Sequence, residues 1–221
     1  MSRCNRRAFL ARAVTLVGAL SRSHSTEGQP ARTRLILLGT GGGPRPRKAS
    51  SASAQVIIRN DAAYVIDCGN GVARQLVLAD VPLPTLRHIF VDHPPVVPAF
   101  AYRFDAADRS IVISGDTARS DNLIQLAEGA EVLVHSAVYL PAVDRLVARV
   151  PNAATLKRSI IAGQTSAEDA GRVAQAAGVK MLVLSHLIPA DDAEVTEQMW
   201  ADAARIHFRG LVIVGKDLLE V

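Results

Sequence analysis

The stretch Ser110-Ile-Val-Ile-Ser-Gly-Asp-Thr117 decides the fold. Ile111, Val112 and Ile113 are β-branched and read as a buried strand, which ends beside Gly115 and leaves Asp116 at its C-terminus. The same arrangement recurs along the chain. Asp67 follows Ala63–Ile66 and precedes Cys68-Gly-Asn-Gly71, and His93 follows Ile89–Val91 and precedes Pro94-Pro95. His135 follows Val132–Val134, and His186 follows Met181-Leu-Val-Leu-Ser185. Strand C-termini converge on one edge of an α/β sheet, where side chains distant in sequence meet around a ligand or metal. Taken singly, each of these residues is a commonplace hydrogen-bonding group. Their recurrence at strand ends beside Gly or Ser points to a site.

Working outward, β-rich runs are expected at residues 34–38, 55–58, 63–66, 88–91, 100–104, 110–113, 132–134, 181–184 and 211–214. Helical periodicity is expected at 72–78, 120–127, 141–150, 167–177 and 193–207, with His207 on or near the apolar face of the last. Hairpins followed by alternating β and α segments predict a layered α/β domain over residues 31–221. Gly39-Thr-Gly-Gly-Gly43 superficially suggests a phosphate-cradling turn. A dinucleotide fingerprint opens into a helix, whereas here Pro44-Arg-Pro46 follows inside a long loop to Ala54. No Gly-x-Ser-x-Gly elbow is present, so a serine hydrolase has no anchor.

The 221 residues, with 49% apolar and 21% charged side chains, describe a globular chain. Residues 1–30 hold Arg3, Arg6, Arg7, Arg12 and Arg22 against Glu27, which accounts for the net charge of +4 and leaves residues 31–221 with 20 basic and 20 acidic side chains. A neutral body lacks the footprint of a phosphate-backbone binder, so nucleic acid is disfavoured as a partner. No apolar run approaches the roughly 18 residues of a membrane span. Asn5-Arg-Arg-Ala-Phe-Leu10 followed by the apolar Ala13–Leu20 resembles a bacterial twin-arginine export leader, with a basic amphipathic helix or a misplaced start as the alternatives. Residues 1–30 are therefore expected to be export signal and linker, and the body periplasmic or otherwise exported. Cys4 would leave with the leader, and Cys68 then has no intramolecular partner.

The segments Leu35–Pro44, Tyr64–Gly71, Ser110–Thr117, Val132–His135, Leu182–His186 and Gly215–Val221, taken in order, resemble the metallo-β-lactamase superfamily, and within it ribonuclease Z. The resemblance implies an αβ/βα sandwich and a zinc-dependent hydrolase of phosphodiester or other ester bonds, with two Zn²⁺ ions. His93 matches a ligand of the first zinc, Asp116 the bridging aspartate and His186 a ligand of the second. Asp67 matches an aspartate that supports the metal-binding loop from behind, and His135 also falls outside the ligand set. Imidazole and carboxylate suit Zn²⁺.

One block of the family pattern is missing. His-x-His-x-Asp-His should follow the strand at 88–91, and no two of the histidines at 24, 88, 93, 135, 186 and 207 have His-x-His spacing. The chain reads as an internally truncated family member, with at most one zinc weakly held. Gln164 stands where the family places its general acid, and Ser136 where that acid has its carboxylate partner. Glutamine is no general acid near neutral pH. Two functions are therefore carried forward. One is an impaired metallohydrolase acting on a small ester; the other is an inactive homologue that acts at most as a binding protein. Homodimerisation is left open.

Overall fold

In β1 (Arg34–Gly39) the side chains of Leu35 and Leu37 enter one core, and those of Ile36 and Leu38 enter another. A strand buried on both faces in this way must lie between two layers. This computed structural model describes residues 32–43, 47–91, 100–148 and 153–221. β1, β2 (Ala54–Arg59), β3 (Ala62–Ile66) and β4 (Leu86–Phe90) form a four-stranded sheet in that order, with β3 and β4 parallel and the other pairs antiparallel. A five-stranded sheet follows in the order β5 (Tyr102–Asp105), β6 (Ser110–Ile113), β7 (Val132–Val138), β8 (Met181–Ile188) and β9 (Leu211–Val214), parallel from β6 onward.

The two sheets pack face to face. Leu35, Leu37, Ile57 and Ile66 meet Ile111, Ile113, Val132, Val134 and Val183 between them. Ile36, Leu38, Val56 and Val65 face outward under α1 (Val72–Leu78). Val112, Leu133 and Leu182 face outward on the other side, under α2 (Asp121–Ala127), α5 (Ala167–Ala177) and α6 (Glu197–Arg205). The result is the layered order α, β, β, α, an α/β sandwich as the sequence predicts. Among the described residues no helix is long and apolar enough to cross a membrane.

Several boundaries differ from expectation. β7 and β8 continue to Val138 and Ile188, through polar residues that are themselves buried. The helix expected over 141–150 is a 3-10 turn at Leu140–Ala142 leading into α3 (Val143–Val147), and α4 (Ala153–Gly163) lies where no element is expected. α6 starts only at Glu197, where the Thr196 hydroxyl accepts from the Met199 N–H, and ends at Arg205. His207 therefore lies beyond the helix and meets Glu168 Oε1 at 2.9 Å instead of joining an apolar face.

The free edges of the first sheet differ. β1 is flanked by the C-terminal residues, through Leu218 N–H to Leu37 O and Val221 N–H to Leu35 O. Among the described residues β4 pairs only with β3, and Ile89 is 54% exposed.

Candidate active site

The sharpest local feature is a bulge in β8. Opposite β7, Ser136 pairs with Ser185 and Ala137 with Leu187, so His186 is the extra residue. Its φ of 45° lies in the left-handed region, which costs an L-residue roughly 1 kcal/mol. The bulge turns the imidazole out of the strand alternation and toward the end of β6. There Gly115, at φ 61°, carries the chain around to Asp116. His186 Nε2 and Asp116 Oδ2 lie 3.0 Å apart, and both residues are buried. The Gly43 N–H approaches the same Nε2 at 3.3 Å. One ring nitrogen cannot accept from Gly43 and donate to Asp116 at once, so the two contacts belong to different tautomers. Nδ1 is buried with no hydrogen-bond partner among the described residues.

Two spaces adjoin this pair. One is a polar cavity of about 10 Å³ lined by Asp67, Gln55, Ser114, Ser136 and Ser185 together with Asp116 and His186. That is about the volume of one water. The other is an open cleft of about 310 Å³, in which Arg47, Asp116, Gln164 and His186 share the lining with apolar side chains of α3, α4 and the end of β8. Gln164 is positioned by the loop after α4. Its neighbour Thr165 donates through Oγ1 to Thr117 O at 2.7 Å and accepts the Val138 N–H at 2.9 Å.

The glycine-rich loop forms the rim and is braced from the far end of the chain. Asp217 Oδ1 accepts from the Thr40 N–H and the Thr40 hydroxyl, both at 2.9 Å. Its Oδ2 accepts from the Ser51 N–H at 2.6 Å and from Gln75 Nε2 at 3.3 Å. Gly42 then passes so close to β8 that a Cβ there would meet His186 O at 2.7 Å, which explains the glycine. Arg47 donates to Gly42 O and lies against the loop. The sequence reading misses both Asp217 and Arg47. Asp217 follows the strand expected at 211–214 by three residues and stands just after Gly215, as Asp116 does after its own strand and Gly115, so the strand-end pattern could have found it, whereas Arg47 sits in a loop without periodicity.

Asp116 and His186 come together, and Asp67 lines the smaller cavity beside them. His135 lines neither space. It is fully enclosed in β7 with Nδ1 2.8 Å from Ser136 O, and burial pushes its pKa down to about 4 against the opposing effect of that carbonyl. His93 lies outside the described residues, as do residues 1–31. The fit to zinc is partial. Two ligands of one ion with bonds near 2.0–2.1 Å stand about 2.9–3.4 Å apart, so the 3.0 Å Asp116–His186 separation suits one edge of a coordination shell. Among the described residues no group of three His, Cys, Asp or Glu side chains is placed to hold a metal ion, so a binuclear centre is not accounted for by them.

The putative ribonuclease Z of Mycobacterium tuberculosis (strain CDC 1551) is 35% identical to this chain over 137 residues, 62% of this chain and 58% of that protein. Ribonuclease Z of Mycobacterium avium is 38% identical over 130 residues, 59% of this chain and 44% of its own length. The chain spans about half the length of the curated relatives it matches. The metallo-β-lactamase fold protein YhfI of Bacillus subtilis superposes with a TM-score of 0.69 at 16% identity, covering 86% of this chain and 98% of that one. The chain has the metallo-β-lactamase fold, and over its matched residues it is similar to ribonuclease Z. Human tRNase Z, short form, has the same fold, with a TM-score of 0.60 at 15% identity over 85% of this chain and 98% of its own. No protein-family model matches the chain.

Proposed function

We propose that this chain is a phosphodiester metallohydrolase with a reduced site, one that holds at most a single zinc ion, weakly, and turns substrate over slowly. The observation that carries the reading is the buried Asp116–His186 pair at the ends of β6 and β8, without a third donor among the described residues. Bound zinc would supply a hydroxide near neutral pH. Gln164 lines the cleft as an amide and not as an acid, so it offers a leaving group no acidic proton there. The neutral body favours a small ester over RNA. Metal analysis of the purified chain, combined with hydrolysis of bis(4-nitrophenyl) phosphate, tests this. Below one zinc per chain and little turnover is expected. Two tightly held zincs, with turnover abolished by Asp116→Ala, would show a complete enzyme instead. No turnover and no zinc would favour the second reading, a binding protein. We also propose export by the twin-arginine route, for which Arg6→Lys with Arg7→Lys should retain the protein in the cytoplasm; normal export of that variant would refute it.

A further inference from the structure

We propose that the 310 Å³ cleft selects phosphate esters bearing an aryl or branched-alkyl substituent, which packs against a wall made by Leu146, Leu156, Ile160, Ile188 and Pro189. The phosphate part of this rests on the function proposed above, while the apolar part rests on the wall alone. The wall is contributed by three separate elements, α3, α4 and the β8 end, so it is not the face of a single stray helix. Ile160 and Ile188 are buried at its back, and Leu156 stands at its mouth, 36% exposed. The charged and titratable groups of the lining come from outside α3 and α4, where Asp116 and His186 meet and Arg47 is fixed on Gly42 O, while Ser159 and Gln164 are the polar residues on the α4 side. An apolar body with a few convergent polar groups is the usual form of a small-molecule site.

The same lining argues against a nucleic-acid strand. Successive phosphates need a row of cations, and among the described residues the lining offers Arg47 as its one Arg or Lys, together with the acidic Asp116. The loop that holds Arg47 therefore fits one anionic head, and the wall fits one apolar substituent beside it. α4 supplies much of that wall and is the element that the sequence pattern does not reveal.

The experiment compares two diesters of equal charge, bis(4-nitrophenyl) phosphate and dimethyl phosphate, binding to the full chain by isothermal titration calorimetry, with EDTA and separately with added zinc. The aryl ester should bind at least tenfold more tightly in both conditions. Leu156→Asp should reduce that ratio to threefold or less. Ile161→Asp, on the same helix at a 51% exposed position outside the cleft lining, should leave the ratio unchanged and report any general damage to α4. Should Leu156→Asp fail to fold, Leu156→Ser must show the same direction of change. Equal binding of the two esters, binding of neither, or tighter binding of a twelve-nucleotide RNA that Leu156→Asp leaves intact would each overturn the proposal. Aryl-selective binding without hydrolysis at any zinc concentration would remove the hydrolase reading and leave this one standing. Hydrolysis with an unchanged KM ratio in Leu156→Asp would do the reverse.

Discussion

β7 lies at the centre of its sheet with all seven residues buried, whereas β4 ends the other sheet with Arg87, His88 and Ile89 exposed. Both are short β runs followed by chemistry in the family pattern, and only one of them is covered on both faces. The five-stranded sheet has α2, α5 and α6 across its outer face, while the four-stranded sheet has α1, whose cover reaches Val65 on β3 but leaves its neighbour Ile89 on β4 open. The family block absent from the sequence belongs immediately after β4. The covered half carries Asp116 and His186, whereas the further ligands implied by the resemblance fall after β4, outside the described residues.

The largest effect should separate the halves by core deletion. Leu133→Ala, in the middle of β7, is expected to cost about 2–5 kcal/mol, and Ile89→Ala on β4 about 1 kcal/mol or less, both by urea denaturation. Equal costs would mean that β4 is buried after all and would break the comparison.

The covered half should also be the pH-sensitive one. His135 has its pKa lowered to about 4 by burial, against 6.5 in the unfolded chain. Above pH 6.5 both states are neutral and stability is full. As pH falls from 6.5 to 4 the unfolded chain takes up a proton that the folded chain resists, so stability drops by about 3 kcal/mol across that window. Denaturation midpoints measured between pH 7 and 4 should show the loss, and His135→Gln, whose amide can still donate to Ser136 O, should flatten it. An unchanged pH slope in that variant would place the titrating group elsewhere.

Asp217 bears on how the halves are joined, because it follows β9 in one sheet and gathers Thr40 after β1, Ser51 and Gln75 of α1 around the other. Asp217→Asn keeps the shape but replaces one accepting oxygen with a donor, which faces either the Thr40 or the Ser51 N–H. A loss of about 1–3 kcal/mol is expected, with the cleft rim loosened so that ester binding weakens more than the loss of stability explains. Ester affinity unchanged in the folded variant would limit Asp217 to stability.

The layered fold was readable because most of its strands are short, nearly unbroken apolar runs bounded by Gly, Asp or Ser, although which core Leu35 and Ile36 each enter follows only from the period of two along the strand. The site was only partly readable. Asp116 and His186 could be placed at strand ends, but the bulge that aims His186 is a backbone event at Ser185-His186-Leu187 without a composition signal. β7 and β8 extend beyond their apolar runs because Ser136 and Ser185 are buried by the facing sheet, a tertiary effect that overrides propensity. α4 escaped notice because Leu156, Ile160 and Ile161 are its only large apolar residues and only Ile160 is buried, so its helical period is weak in the residues alone.

The smallest effect gives the finest test of the exposed strand. Ile89 sits on the last strand of its sheet, beside Val65, which α1 covers completely, yet it is itself 54% exposed. A lysine at such a position keeps its stem along the apolar surface and its ammonium in water, so Ile89→Lys should change stability by no more than about 0.5 kcal/mol. An uncovered apolar edge also invites pairing with other chains, and charge on an edge strand is the ordinary protection against it. Light scattering of concentrated samples should therefore show slower aggregation for Ile89→Lys than for the native chain. A stability loss above about 2 kcal/mol would mean that the side chain is packed against something, and the contrast between β4 and β7 would have to be withdrawn.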